Sequence, residues 1–230
     1  MAVRLSQRDR EIIEFINKFR AVDRDSLAKL FFDDLKTPVH GCNSVMVRLY
    51  RLGLVERTQQ YSPTVYLPSD AKIKKNSQKI LHFLSILDVY KQMLTYNKPK
   101  IVIVEDKPTG KKGGIEPDLF AVWKGAPFWC EIQRNTYSEA KMQAKINLYE
   151  EYFHSDEWTS LHWQRDGKPA IFPTIIVITP IRYNISSDYI KVIQVADIHE
   201  LMQKYGGNSK PQQPAPKTTS SNGGIRINLT

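Results

Sequence analysis

The chain has 230 residues and a formal net charge of +9 at pH 7, with 41% hydrophobic and 10% aromatic residues. This composition excludes a disordered or fibrous chain and supplies one substantial core, or a small domain beside a medium one. The basic balance favours a polyanionic partner, nucleic acid foremost. Two cysteines, Cys42 and Cys130, form no C-x-x-C pair, which excludes a zinc ribbon and fits a reducing interior. Residues 1–10 are polar and carry no secretory apolar segment, and no apolar run approaches the ~20 residues of a membrane helix. A cytoplasmic protein with no membrane partner is expected.

Residues 1–70 read as helix, helix, helix, hairpin. Ser6 caps the first helix with Asp9 at its third position, and Ile12, Ile13, Phe15, Ile16 and Phe19 give it an apolar face. Asp23 or Asp25 begins a second helix with Leu27, Leu30 and Phe31 inward. A loop with Pro38 and Gly41 follows, and Asn43 or Ser44 opens a third helix that Gly53 stops. Leu54 and Val55 start a strand, Ser62 and Pro63 turn it, and Val65, Tyr66 and Leu67 return. Residues 47–57, V-R-L-Y-R-L-G-L-V-E-R, take a basic helix straight into an apolar strand, as a recognition helix leads into the wing of a winged helix. The same junction occurs wherever a helix turns into a strand; the two preceding helices favour the DNA-binding reading. Asn43, Ser44 and Arg48 would then face the major groove and Arg51 a phosphate, with Arg57, Gln59, Gln60 and Tyr61 along the wing.

Residues 71–96 are predicted as one long helix, with Ile73, Ile80, Leu81, Leu84, Leu87 and Leu94 as its stripe and Asp88 facing solvent. The apolar run 101–104 suggests a strand buried on both faces. A polar loop at 107–114 lacks the G-x-x-x-x-G-K-[ST] pattern of a nucleotide-phosphate loop. Strands at 118–123 and 127–133 follow, joined by Lys124, Gly125 and Ala126. A helix at 137–153, an irregular stretch at 155–168, strands at 173–179 and 189–195, and a short helix opened by Asp197 and Glu200 complete the pattern. Residues 205–230 read as a flexible tail, and no internal repeat is present.

The candidate chemistry sits in Glu116-Pro117-Asp118 and, thirteen residues after Asp118, Glu131-Ile132-Gln133. Alternation puts Glu131 and Gln133 on one strand face with Trp129, while Cys130 and Ile132 point toward a core. A hairpin brings Asp118 close to Glu131, and two carboxylates make a hard oxygen site for Mg²⁺ or Mn²⁺. A pair of surface acids on a hairpin is the plainer alternative. Glu105, at the end of the strand 101–104, is a candidate third metal carboxylate or an exposed loop acid, and Glu116 is equally open. No His-hydrophobic-His pair and no Cys/His or G-x-S-x-G arrangement occurs.

The element order and the Pro-Asp…Glu-x-polar spacing resemble the PD-(D/E)xK nuclease superfamily over roughly residues 76–195. The resemblance implies an α/β (α+β) chain: an N-terminal winged helix at 1–70 and a restriction-endonuclease-like αβββαβ domain at 71–204. It implies Asp118 and Glu131 as metal ligands, with catalysis by Asp118, Glu131 and the residue two after Glu131. That residue is usually lysine and is Gln133 here, as in some restriction enzymes of the superfamily. Glutamine can only hydrogen bond. Lys141 and Lys145, one turn apart on the following helix, are candidates to supply the missing charge, with Lys145 the catalytic candidate; a solvated helix face is the plainer alternative for both. Taken with S-Q-R-D-R-E-I-I-E-F-I, S-L-A-K-L-F-F, E-P-D-L-F-A-V and F-W-C-E-I-Q, the chain resembles the replication-relaxation family, similar to MobC-type plasmid relaxases. That resemblance implies nicking of DNA at a plasmid or mobile-element origin. A non-catalytic DNA-binding factor, or a dimeric repressor whose second domain forms a homodimer, remains the alternative.

Overall fold

A computed structural model describes residues 4–110 and 112–207. Among them, six α-helices and two sheets form a mixed α+β architecture. The first three helices are α1 (Gln7–Phe19), α2 (Arg24–Phe31) and α3 (Pro38–Arg51). With them goes a small antiparallel sheet in the order β1-β3-β2, from β1 (Val22–Asp23), β2 (Val55–Thr58) and β3 (Val65–Pro68). Ser6 and Asp9 close a reciprocal capping box on α1, and Ile12, Ile16 and Phe19 are its buried face. Asp23 caps α2 through the Ser26 N–H at 2.8 Å. The two-residue strand β1 carries no sequence signal of its own; it forms because β3 offers an unpaired edge.

α3 begins at Pro38, not at Asn43 or Ser44, so the expected loop with Pro38 and Gly41 is its first turn. Proline suits that position, since its fixed φ is helical and its missing N–H would have no partner there. Gly41 is needed for close approach: a Cβ would lie 2.6 Å from Leu35 Cδ1. Gly53 ends the helix at φ 68°, its N–H donating to Tyr50 O and that of Leu54 to Leu49 O. That is a Schellman closure, and it aims the chain directly into β2.

α4 (Gln78–Leu94) is shorter than expected, with Ser77 as its cap. Ile73 therefore belongs to a loop at 69–77. Ile80, Phe83, Ile86, Leu87, Val89 and Met93 are buried, so more of the helix circumference is covered than one stripe predicts, while Asp88 is exposed. The cause is position: α4 packs against α1, β1, β6 (Ala126–Ile132) and α6 (Ile198–Tyr205). One apolar cluster consequently runs from Ile12 in α1 through α4 to Met202 in α6.

The larger sheet has the order β4-β5-β6-β7-β8, with β4 (Ile101–Val104), β5 (Leu119–Trp123), β7 (Thr174–Ile178) and β8 (Val192–Val195). β4, β5 and β6 are antiparallel; β6, β7 and β8 are parallel. β4 is an edge strand, and Ile101, Val102 and Ile103 are half-buried rather than enclosed on both faces. Lys124 and Gly125 alone make the β5–β6 turn, both with positive φ, and Ala126 already pairs with Trp123. β7 is enclosed on both sides. Ile176 and Ile178 join the cluster with α4, and Ile175 and Val177 join a second cluster under α5 (Glu139–His154) with Trp129, Met142 and Ile146. A short 3₁₀ turn at Glu157–Ser160 interrupts the stretch expected to be irregular. Tyr205, expected to begin the tail, ends α6, Gly206 and Gly207 follow it, and residues 208–230 lie outside the described residues. No helix among the described residues is long and apolar enough to cross a membrane.

Candidate functional site

The β5–β6 ladder pairs Leu119 with Cys130, and one step further the chain sets Asp118 opposite Glu131. Alternation along β6 is as expected, but both of its faces are core. Cys130 and Ile132 meet α4 and α6, and Trp129 meets α5. Glu131 is accordingly buried completely, at 0% exposure. One carboxylate oxygen, Oε1, accepts from the Tyr149 hydroxyl at 2.6 Å, and the other is ion-paired with the Lys145 ammonium. Asp118 Oδ2 accepts from the Ile132 N–H at 2.7 Å, and its Oδ1 lies 3.0 Å from His82 Nε2. Glu131 comes from β6, Asp118 from the bend that leads into β5, His82 from α4, and Lys145 and Tyr149 from one face of α5.

Burial pushes the Glu131 carboxyl up to about 7, and the Asp118 charge adds to the rise; Lys145 and Tyr149 oppose it. Burial works to lower Lys145, but Glu131 and Asp118 outweigh it and hold the ammonium above its ordinary value. The Tyr149 hydroxyl is raised far above the phenol range, by burial first and then by Glu131. It therefore keeps its proton and donates a hydrogen bond to Glu131.

Asp118, Gln133 and Lys145 line a cleft of about 350 Å³ with His82, Lys79 and Arg134. Gln133 continues the ladder, its N–H donating to Ile178 O at 2.9 Å. Of the two lysines one turn apart, Lys145 reaches Glu131 while Lys141 lies over the Tyr137 ring at 3.8 Å. Glu105 does not join the pair. Its N–H donates to Asp118 O at 3.0 Å, but the backbone turns there with φ 50°, and the side chain lines a neighbouring cleft. Glu116 is exposed and pairs with Lys107 at 2.8 Å. No cluster of three or more His, Cys, Asp or Glu side chains gathers among the described residues. Two carboxylates are still donors of the type Mg²⁺ or Mn²⁺ takes, and one Glu131 oxygen faces a cation already, the Lys145 ammonium.

On α3, Asn43, Ser44 and Arg51 are exposed, with the Ser44 hydroxyl donating back to His40 O at 3.1 Å. Arg48 is half-exposed and ion-paired with the buried Asp9 of α1. Its guanidinium therefore braces α1 against α3 before it meets any ligand. Arg57 stacks over the Tyr50 ring at 4.4 Å, and Gln59 is exposed on the hairpin loop. Sequence reasoning missed His82 and Tyr149. The signal for Tyr149 was its spacing of four from Lys145, which puts both on one helix face. His82 sits among buried apolar positions of α4, where a ring nitrogen needs a partner. No protein-family model, curated protein or solved structure matches this chain.

Proposed function

We propose that the protein binds DNA through residues 1–70, acting as a winged helix, and cuts a phosphodiester bond at the Asp118–Glu131 cleft of a PD-(D/E)xK-like domain. The observation that carries this reading is the convergence of Asp118, Gln133 and Lys145 on one cleft, with Glu131 buried behind it and ion-paired with Lys145. A divalent cation held by Asp118 and Glu131 would supply Lewis-acid stabilisation of the phosphoryl oxygens. Lys145 carries the positive charge that Gln133 lacks, and it approaches from α5 rather than from β6. Gln133 is left to orient a water by hydrogen bonding. The order α1-α2-α3-β2-β3 and the exposed Asn43, Ser44 and Arg51 support DNA recognition by the first unit. The resemblance to the replication-relaxation family favours an origin of a plasmid or mobile element as the target, with nicking as the reaction.

A second reading has its own observation. All four oxygens of Asp118 and Glu131 already have a partner in the chain: His82, the Ile132 N–H, Lys145 and Tyr149. A DNA-binding factor on a nuclease-like scaffold would be built in this way. Supercoiled plasmid with Mg²⁺ or Mn²⁺, with EDTA, and with Asp118→Asn and Glu131→Gln separates the two. Metal-dependent open circles absent from both variants support the nickase, and DNA bound but never cut leaves the binding factor.

A further inference from the structure

Residues 72–79 read K-I-K-K-N-S-Q-K, four lysines in eight positions with no acid. Lys72, Lys74 and Lys79 are exposed and form no ion pair among the described residues, while Lys75 pairs with Glu56 at 3.2 Å. Uncompensated like charges this close in sequence repel one another, so the fold must hold them together. It does so at three points. The Thr58 hydroxyl donates to Lys75 O at 3.1 Å, the Tyr61 hydroxyl to Ser77 O at 3.3 Å, and Arg134 Nη1 to Gln78 O at 3.2 Å. The first two contacts come from β2 and the hairpin loop after it; the third comes from the rim of the Asp118 cleft. Lys79 lines that cleft and also a neighbouring one of about 310 Å³, which holds Arg20 and Lys72 together with Asp70 and Glu105.

We propose that this lysine-rich strap is a phosphate track. It grips the sugar–phosphate backbone of a DNA strand and carries it from the β2–β3 hairpin to the Asp118–Glu131 cleft. The proposal rests on the DNA-binding reading above and adds the route between the two units. A strand bound along Lys72, Lys74 and Lys79 relieves their mutual repulsion and releases counterions, which makes its contribution steeply salt-dependent. The strap lies between two clefts rather than on a flat face, and a seam of that kind suits a strand better than a lipid surface. Because hairpin, strap and cleft are joined by hydrogen bonds, recognition and cleavage sit at a fixed spacing along one DNA molecule.

The test is fluorescence anisotropy of the full chain on a duplex of about 30 base pairs, with and without a single-stranded overhang, across a salt series. Four proteins are compared: wild type, Lys72→Gln/Lys74→Gln/Lys79→Gln, Asn43→Ala/Arg51→Ala, and Lys98→Gln/Lys168→Gln/Lys191→Gln. The last carries the same change in net charge at exposed lysines elsewhere. The strap variant is expected to bind about 10–100-fold more weakly near 0.15 M salt, with the slope of log K on log salt shallower by about 2–3, while the control set keeps the wild-type slope. Equal losses in both sets would reduce the effect to overall charge and overturn the track. So would a strap variant with an unchanged slope while Asn43→Ala/Arg51→Ala weakens binding, and in that case DNA recognition by α3 survives. Wild type that ignores both DNAs and binds anionic vesicles overturns the track and the DNA reading together.

Discussion

Among the described residues two carboxylates are buried, one in α1 and one in β6, and both face a cation, yet their chemistry runs in opposite directions. Asp9 in α1 is 2% exposed and Glu131 in β6 is 0% exposed. Burial raises both, but for Asp9 the Arg48 guanidinium and Ser6 outweigh it and the carboxyl lies below its usual range. For Glu131 burial wins, reinforced by Asp118, and the carboxyl rises to about 7. The difference is in what surrounds them. Asp9 closes a capping box at a helix N-terminus, where backbone N–H groups and the helix dipole favour the anion. Glu131 sits near the end of β6, beneath α5 and with a second acid opposite. A buried acid whose ionised form is fully supported is a structural part. One that burial raises despite its partners, with a second acid opposite, is a candidate for a functional role.

The sharpest way to break this comparison is to remove the cations. Lys145→Ala leaves Glu131 with Tyr149 alone and is expected to destabilise the fold by about 3 kcal/mol in urea unfolding. Replacing the pair together, Glu131→Gln with Lys145→Met, should recover most of that loss, because no buried charge is then left alone. Recovery of stability without recovery of plasmid nicking would mean that the pair is kept for chemistry. Asp9→Ala removes a reciprocal cap as well as the Arg48 ion pair, with an expected loss of about 1–2 kcal/mol and no Lys145-like rescue.

The pH dependence should separate the same two acids. Glu131 is raised when folded, so the native state holds a proton that the unfolded chain releases near its ordinary value. Its contribution to stability falls as pH rises from about 4.5 toward 7. Asp9 is lowered when folded, so its contribution is full above the ordinary carboxylate value and disappears as pH falls through the folded one. Unfolding midpoints measured from pH 3 to 8 should therefore lose the downward slope near neutrality in Glu131→Gln alone, and lose part of the acid-side slope in Asp9→Asn alone. A neutral-side slope that persists in Glu131→Gln would mean that burial does not control that acid.

The N-terminal elements were legible because their signals are local. The Ser6–Asp9 box, the Asp23 cap, the Gly53 stop and the hairpin all act within a few residues, and α1, α2, β2 and β3 lie where those signals put them. Pro38, expected in a loop, stands at the one helical position that suits it. Farther along the chain the strands were readable, and so was the closeness of Asp118 to Glu131, but their direct opposition was not: it follows from a two-residue turn where the sequence suggests a three-residue connection. Burial was not readable. Nothing local distinguishes Glu131 on a surface hairpin from Glu131 beneath α5, and nothing near His82 announces that α4 will lie beside Asp118. Those facts depend on which helix covers which face of the sheet, and they arise from packing far apart in sequence. The edge position of β4 was hidden for the same reason: four apolar residues look alike at an edge and in a centre.

The smallest effect tests whether the basic groups of α3 and the hairpin serve the fold or the ligand. Arg57 lies over Tyr50 at 4.4 Å and ties β2 to α3. A half-exposed cation–π contact contributes about 0.5–1 kcal/mol, so Arg57→Ala should lower the unfolding free energy by about that much. Arg57→Met keeps the apolar stem against the ring and should lose less. If Arg57 also touches a phosphate, both variants weaken DNA binding equally and make the salt slope shallower by about 1. Parallel losses of stability and affinity that both disappear in Arg57→Met would instead assign the residue to packing, and DNA contact in the first unit would fall to Asn43, Ser44, Arg51 and Gln59, whose side chains stand in solvent.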